Sequence, residues 1–192
     1  MKIICLGDSL TYGYGVPRQE TWPALAEKKS GHTIINLGIS GDTTAGMLAR
    51  FNTEVLPQSP DAIVFMGGCN DIMTSGTAQA AKSNMAAIAH QSAARNIKPL
   101  LGTIPQIDAG NIRPDWAAFT DLAELDRLCG QYVLWLTGFA QAFRLTVVDF
   151  RKSFKPEKGQ PVDSSLYLDV FHPSPKGHSL MADVLLRTLE GR

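Results

Sequence analysis

The sequence lacks an excess of charge of either sign. Its 192 residues include 18 basic and 18 acidic side chains, and charged residues make up 19% of the chain. Nucleic acids and anionic membrane surfaces attract proteins through clustered positive charge. No nucleic-acid partner is therefore expected.

Long hydrophobic runs are also missing, since no apolar run reaches the ~18 residues that a transmembrane helix requires. The first apolar run, Ile3 to Leu6, is too short for the core of a secretory signal. We expect no transmembrane segment and a cytoplasmic location, or a periplasmic or secreted one if a signal peptide has been removed. A hydrophobic content of 44% excludes a disordered chain and predicts one globular domain over residues 1–192.

Cysteine is scarce, with three residues at unrelated spacings: Cys5, Cys69 and Cys129. An odd number without a repeated spacing argues against a disulfide framework and against a zinc site. Asp169, His172 and His178 could suggest a metal triad, but no further His or Cys cluster accompanies them. We expect neither a metal nor a cofactor.

Five short apolar runs predict strands, at 3–6, 33–36, 62–66, 99–101 and 145–148. Helical patterns lie between and after them, at 22–29, 43–55, 77–95, about 115–143 (one helix, or two if Gly130 or Gly138 breaks it) and 175–189. This alternation predicts an α/β fold with three layers, in which helices cover both faces of a flavodoxin-like, mostly parallel five-stranded sheet. Sites in such folds gather at the carboxyl ends of the strands.

Polar turns follow the first three predicted strands. Ser9 stands in Gly7-Asp8-Ser9 after the first strand, Gly41 lies in a glycine-containing turn after the second, and Asn70 follows Gly68-Cys69 after the third. Taken alone, each turn also fits a blander role, such as a helix N-cap, a phosphate-binding turn or an Asx turn. Cys69 fits a small buried thiol better than a thiolate nucleophile.

An acid and a base precede the last predicted helix. Asp169 and His172 are three positions apart in a tight turn, so the carboxylate can accept the Nδ1 proton and leave Nε2 as a base. The alternative is a surface cap. Together with Ser9, Gly41 and Asn70, however, this pair falls at one predicted edge of the sheet, which favours a shared site.

On these motifs the chain resembles the SGNH or GDSL hydrolases, and the bacterial arylesterase and thioesterase/lysophospholipase group within that family. The resemblance spans residues 2 to 189 and includes Gly7-Asp8-Ser9-Leu10, the run 36–44, Gly68-Cys69-Asn70-Asp71 and Asp169 with His172. It implies a nucleophilic Ser9, an Asp169–His172 acid–base pair, and an oxyanion hole from Ser9, Gly41 and Asn70. The group usually has Gly-Gly-Asn-Asp-Gly in its third block, whereas this chain inserts Cys69 before Asn70.

The expected activity is a serine esterase or lipase that hydrolyses short to medium acyl esters, thioesters or lysophospholipids, with a small-molecule acyl ester as its partner. The expected substrate-binding residues are Asp8, Tyr12, Tyr14, Ile72, Met73, Ile104, Ile107 and Phe171. Asp8 is expected to brace its turn rather than act as a base, and the loop 103–116 could cover the groove as a lid. The alternatives are a carbohydrate O-acetylesterase and a flavodoxin-like module that binds phosphate or nucleotide without chemistry.

Overall fold

The computed structural model describes residues 1–111, 121–156 and 160–191. Five strands form one sheet in the order β2-β1-β3-β4-β5, and every neighbouring pair is parallel. The strands are β1 (Lys2–Gly7), β2 (Thr33–Gly38), β3 (Ala62–Met66), β4 (Lys98–Gly102) and β5 (Thr146–Val148). All five predicted strands are therefore confirmed, to within one or two residues at their ends.

Both faces of the sheet are covered. Consecutive residues of β1, from Ile3 to Gly7, and all residues of β3 are buried. Because neighbouring residues of a strand point to opposite faces, uninterrupted burial requires packing on both sides. This confirms the predicted α/β architecture, and it explains why these strands are continuously apolar instead of alternating.

Helices connect and flank the strands. They are α1 (Ser9–Tyr12), α2 (Trp22–Ser30), α3 (Thr44–Arg50), α4 (Cys69–Ser75), α5 (Gln79–Ala93), α6 (Leu122–Phe143), α7 (Phe150–Phe154) and α8 (Pro175–Leu189). Helix α2 packs against α8, while α3 packs against α5 and α5 against α6. Ser174 caps α8 by accepting a hydrogen bond from the backbone N–H of Gly177, and Pro175 opens the helix as expected.

Two predicted helices differ in detail from the observed ones. The helix predicted over 43–55 ends at Arg50 and continues as a π-helical turn, Phe51–Val55. The helix predicted over about 115–143 is one continuous helix from Leu122 onwards, and neither Gly130 nor Gly138 breaks it. Its first predicted residues, 115–120, lie outside the described ranges. The side chain of Asp121 caps it.

The strand order creates a crevice at one edge of the sheet. β1 lies between β2 and β3, so the chain leaves β1 towards one side and later β3 towards the other. In open parallel sheets, ligands bind outside the carboxyl ends of the strands at such a reversal of direction. The turns that carry Ser9, Gly41 and Asn70 follow β1, β2 and β3 at this edge.

None of the helices in the described ranges is long and apolar enough to cross a membrane. Within the same ranges, no group of three or more His, Cys, Asp or Glu side chains is arranged to hold a metal ion.

Candidate active site

Ser9 is placed at the first turn of a short helix directly after β1. Asp8 caps this helix, because its Oδ1 accepts a hydrogen bond of 2.9 Å from the backbone N–H of Leu10. Gly7 allows the close approach that the turn needs, since a Cβ there would lie 2.2 Å from the Thr11 hydroxyl and 2.8 Å from the Met66 carbonyl oxygen. The resulting turn leaves Ser9 half-buried at the edge of a pocket.

The Asp169–His172 turn is held by its own carboxylate. Asp169 Oδ1 accepts hydrogen bonds from the backbone N–H groups of Phe171, at 2.8 Å, and His172, at 2.9 Å. The backbone N–H of Leu168 donates to the His172 carbonyl oxygen at 2.8 Å, and this closes the turn. Asp169 thus orients the backbone of the residue whose ring it also contacts.

The imidazole of His172 links Asp169 to Ser9. Its Nδ1 lies 2.8 Å from Asp169 Oδ2, and its Nε2 lies 3.0 Å from Ser9 Oγ. Burial by itself raises the pKa of Asp169, but the hydrogen bonds from the His172 ring and from two backbone N–H groups outweigh it and lower the pKa to about 2. An ionised Asp169 accepts the Nδ1 proton, so Nε2 is free to accept the proton of the Ser9 hydroxyl.

Asn70 and the turn at Gly41 meet beside Ser9. Gly41 has a φ of +81°, a conformation that favours glycine, and the next residue, Asp42, accepts a hydrogen bond of 2.8 Å from Asn70 Nδ2 through its carbonyl oxygen. Asn70 Nδ2 therefore bonds a distant turn, and the backbone N–H of Ile72, which an Asx turn would use, donates to the Gly68 carbonyl oxygen instead, at 3.0 Å. One amide proton is used in this bond, which leaves the second available to a ligand.

A buried ion pair fixes the Gly41 turn to the end of β1. Arg50 Nε lies 2.9 Å from Asp42 Oδ2, and another guanidinium nitrogen of Arg50 donates to the carbonyl oxygen of Gly7 at 3.1 Å. Both side chains are about nine-tenths buried. Gly46 leaves room for Asp42, because a Cβ at Gly46 would lie 1.9 Å from Asp42 Oδ1.

A second buried pair fixes the start of α4, on which Asn70 lies. Asp71 accepts hydrogen bonds from the backbone N–H of Thr44 at 3.0 Å and from the Thr44 hydroxyl at 2.6 Å. Asn84 of α5 donates to the same hydroxyl at 3.0 Å. The starts of α3 and α4, which carry the two polar turns, are thus connected directly.

Twelve residues line a pocket at this edge. It contains five of the predicted substrate-binding residues, together with Ser9, Asn70 and His172: Asp8, Met73, Ile104, Ile107 and Phe171. The sequence analysis missed four further lining residues, Leu10, Cys69, Pro105 and Gln106. Gly41 is not part of this lining and connects to it through the Asp42–Asn70 bond.

Three predicted pocket residues, Tyr12, Tyr14 and Ile72, are not among the residues that line the pocket. Ile72 is 1% exposed and points into the core, and Tyr12 is 43% exposed on the surface, where the Arg18 guanidinium lies over its ring. The reason is that helices, not extended loops, begin at Ser9 and Cys69. A helix directs neighbouring side chains about 100° apart, so Met73 reaches the pocket while Ile72 does not.

The described part of the predicted lid forms a wall of the pocket. Thr103 bonds Asp149 at 3.0 Å, the backbone N–H of Asp108 donates to the Val170 carbonyl oxygen at 3.0 Å, and the Tyr167 hydroxyl donates to the Gln106 carbonyl oxygen at 2.5 Å. These bonds anchor the segment 103–108 on both sides. The remainder of the proposed lid, residues 112–116, lies outside the described ranges.

Cys69 and His178, the two other candidate functional residues, are both buried. A hydrogen bond with the Cys129 thiol, together with burial, raises the pKa of Cys69 well above its ordinary value, so this thiol is not a thiolate. His178 is buried and accepts a hydrogen bond at Nδ1 from the backbone N–H of Trp22 at 3.2 Å. Burial lowers the pKa of His178 to about 4, which keeps it neutral.

The sequence is similar to known lipases and esterases. A model of the GDSL-like lipase/acylhydrolase family matches residues 5–180. An arylesterase of Vibrio mimicus is 41% identical over 75 residues, which cover 36% of this chain and 38% of that protein. An acetylxylan esterase of Geobacillus stearothermophilus is 25% identical over 164 residues, which cover 83% of this chain and 73% of that protein.

The fold has close structural counterparts. The crystal structure of TesA superposes with a TM-score of 0.75 at 23% identity, covering the whole of this chain and 99% of the other, which supports a shared fold. The chain spans about half, or less, of the length of the arylesterase and thioesterase relatives that it matches in sequence.

Asp8 makes the stability of the protein depend on pH. Burial raises its pKa from 3.8 to about 7; the nearby Asp42 carboxylate adds to this rise, while the Leu10 N–H and His172 oppose it. Because this pKa is higher in the folded state, the contribution of Asp8 to stability is fully present below about pH 4 and is lost as the pH rises through about 7. Asp8→Asn keeps the oxygen that accepts from Leu10 but cannot ionise. Between about pH 4 and pH 8, we expect the wild type to lose up to about 4 kcal/mol of unfolding free energy relative to this variant.

Urea unfolding at several pH values measures this difference. Asp183→Asn, which neutralises an exposed carboxylate paired with Lys29, is the matched control and is expected to show no comparable dependence on pH. If the difference in unfolding free energy between the wild type and Asp8→Asn stays constant over this pH range, Asp8 is not buried in its protonated form.

Proposed function

The chain belongs to the GDSL-like lipase/acylhydrolase family, and on this premise we propose that residues 1–192 act as one domain, a carboxylic ester hydrolase that cleaves acyl esters and thioesters through an acyl-enzyme on Ser9. The observation that carries the proposal is the chain of hydrogen bonds from Asp169 through His172 to Ser9, with distances of 2.8 and 3.0 Å. A phosphate- or nucleotide-binding turn would not need a base in contact with its serine.

In the proposed first step, Ser9 Oγ attacks the carbonyl carbon of the substrate while His172 Nε2 takes the hydroxyl proton. The carbonyl π bond breaks and its electron pair moves to the oxygen, giving a tetrahedral oxyanion. Collapse of this intermediate breaks the bond to the leaving group, which receives the proton from His172 and departs as an alcohol or thiol. Asp169 stabilises the imidazolium formed in between.

Water then completes the reaction. His172 Nε2 removes a proton from a water molecule, whose oxygen attacks the acyl-enzyme carbonyl, and the second tetrahedral intermediate releases the carboxylic acid. The proton held by His172 returns to Ser9 Oγ as this bond breaks. The cycle needs no redox step, since only acyl and proton transfers occur.

Three donors are proposed to stabilise the oxyanion: the backbone N–H groups of Ser9 and Gly41 and the side-chain amide of Asn70. Ser9 is the first residue of α1, whose first N–H groups have no helical acceptor. The bond from Asn70 to Asp42 supports the assignment, because it joins the amide to the residue next to Gly41. Loss of one such donor typically costs a factor of about 100 to 1,000 in kcat.

The acyl group is proposed to occupy the pocket beside Ser9. Its wall is mostly apolar, with Met73, Ile104, Ile107 and Phe171 among its lining residues. A carbohydrate O-acetylesterase, which shares the same chemistry but takes only an acetyl group, is the second candidate. The similarity to an acetylxylan esterase over 83% of this chain supports keeping it.

Replacement of triad residues tests the mechanism. Ser9→Ala and His172→Ala are each expected to reduce ester hydrolysis to a similar floor, because the two residues act as one unit. Asp169→Asn keeps the oxygen that holds the turn but presents an N–H to Nδ1, which forces the His172 proton onto Nε2. We expect it to lower kcat about 10,000-fold. Steady-state hydrolysis and labelling of Ser9 by a fluorophosphonate measure these effects.

The matched control for these substitutions is His90→Ala, which removes an exposed histidine of α5 and is expected to retain activity. Near-complete activity of Asp169→Asn would show that the acid is misassigned. A wild-type protein that neither hydrolyses esters nor reacts with the fluorophosphonate at Ser9 would refute the proposed mechanism as a whole.

Gly46→Ala tests the oxyanion turn without touching a proposed donor. The new Cβ must displace the Asp42 carboxylate from Arg50, and Asp42 carries the carbonyl oxygen that Asn70 contacts. We expect kcat to fall about tenfold to a hundredfold with little change in KM, which is less than the loss of a complete donor can cost. Kinetics with one aryl ester provide the measurement.

Gly138→Ala is the matched control, because Gly138 also lies within a helix and no atom is within 4 Å of the position of its added Cβ. It is expected to leave kcat unchanged and to stabilise the fold by about 1 kcal/mol, the usual gain for Gly→Ala in a helix. Equal kcat values for Gly46→Ala and Gly138→Ala would show that the position of the Asp42 carboxylate does not affect the proposed oxyanion hole.

Acyl-chain length distinguishes the two candidate substrates. With a constant aryl leaving group, kcat/KM is expected to rise from acetate to butyrate or longer by up to about fourfold per methylene, the value of burying one CH₂. Met73→Ala should reduce this slope, whereas Leu134→Ala, which truncates a side chain that is 74% exposed, should not. A fall in kcat/KM with every added methylene would instead favour the O-acetylesterase.

A further inference from the structure

Two exposed apolar side chains, Tyr14 and Leu168, belong to segments that contact His172. They are two of the seven large hydrophobic side chains that are exposed among the described residues. Exposed apolar surface that surrounds a pocket is a common property of ligand-binding regions. This group is separate from the pocket lining described above.

Tyr14 is the member of this group that touches the proposed machinery. Its ring centroid lies 4.5 Å from that of the His172 imidazole, with the two planes inclined by 38°, and 47% of its surface is exposed. Its backbone N–H donates to the carbonyl oxygen of Ser9 at 3.1 Å. The backbone of Tyr14 is thus bonded to Ser9 and its ring contacts His172, while about half of the side chain's surface remains exposed.

Two glycines hold Tyr14 in this position. Gly13 and Gly15 have φ values of +86° and +79°, which most L-residues avoid, so the chain reverses on both sides of the tyrosine. The turn also packs closely against Leu168, because a Cβ on Gly15 would lie 2.6 Å from Leu168 Cδ1. Leu168 is 45% exposed, and together with Tyr14 it forms an exposed apolar patch beside His172.

The position of His172 determines which part of a substrate contacts this apolar patch. In ester hydrolysis the imidazole must return its proton to the leaving-group oxygen, so the departing alcohol lies against His172. The acyl chain is assigned to the pocket lined by Met73 and Ile104. A ring that flanks His172 outside that pocket is therefore on the alcohol side of the scissile bond.

We propose that Tyr14 and Leu168 form a leaving-group subsite that selects esters of flat, aromatic alcohols, an inference that rests on the proposed function. A half-exposed tyrosine ring offers a planar face, and aromatic pairs gain more from contact than apolar surfaces of equal area. Tyr14 is thereby a specificity-determining residue, and the preference it creates is independent of the length of the acyl chain.

A matched pair of substrates tests this subsite. Benzyl butyrate and cyclohexylmethyl butyrate carry the same acyl group and leaving groups of similar size and reactivity, but one ring is flat and aromatic and the other is not. The wild type is expected to prefer the benzyl ester about fivefold in kcat/KM. Tyr14→Phe should keep this ratio, and Tyr14→Leu should bring it close to one.

Tyr12→Leu is the matched control, because Tyr12 is an exposed tyrosine two residues away that lies outside the pocket. It is expected to leave the benzyl preference unchanged. The acyl-enzyme formed from 4-nitrophenyl butyrate provides a second measurement, since benzyl alcohol and cyclohexylmethanol can compete with water for the acyl group. Wild type should transfer more acyl group to benzyl alcohol, and Tyr14→Leu should lose this bias.

Two results would overturn the inference. If Tyr14→Leu lowered kcat/KM for both esters in parallel and shifted the pH profile, Tyr14 would act through His172 and not on the leaving group. If Tyr14→Leu changed the dependence on acyl-chain length instead, Tyr14 would lie on the acyl side. Failure of the proposed function is distinguishable from both, because the wild type would then hydrolyse neither ester and form no adduct at Ser9.

Discussion

The contact between His172 Nε2 and Ser9 Oγ, 3.0 Å long, joins residues that are 163 positions apart in the chain. Ser9 lies directly after β1, and His172 lies just before the last helix, α8. The two atoms meet because β1 lies inside the sheet, between β2 and β3, and the loop that precedes α8 reaches the carboxyl end of β1. Bonds at both ends keep the contact in place, since Asp8 caps the nucleophile turn and Asp169 holds the histidine turn.

Buried charge gives the same edge its rigidity. Arg50 bonds Asp42 and the carbonyl oxygen of Gly7, so one guanidinium connects the turn after β2 to the end of β1. Asp71 does the equivalent for α3 and α4 through Thr44. Buried charges are costly unless they are paired and hydrogen-bonded, and a pair that is satisfied on all sides tolerates little displacement. The polar groups around the pocket are thus positioned by interactions that would be expensive to break.

The site has two apolar regions with different surroundings. The pocket lined by Met73 and Ile104 belongs to the edge of the core, whereas Tyr14 and Leu168 lie on the surface beside His172. A substrate bound across Ser9 would extend into both. On the proposed assignment, this division separates the choice of acyl group from the choice of leaving group, and each can vary without altering Ser9, His172 or Asp169.

The sequence by itself determined the α/β alternation, because apolar runs that are too short for helices and uniformly hydrophobic can only be strands covered on both faces. It also predicted that Ser9 and Asn70 share one edge, since they follow parallel strands, and that Asp169 and His172 form a pair, since they are three positions apart in the turn before the last helix. Only the tertiary structure decided which neighbours line the pocket. Helices start directly at Ser9 and Cys69, so the turn of each helix, and not position along the chain, sends Met73 into the pocket, Ile72 into the core and Tyr12 to the surface. The bond from Arg50 to Gly7 and the placement of Tyr14 over His172 likewise depend on packing between segments that are far apart in the chain, which local sequence patterns do not record.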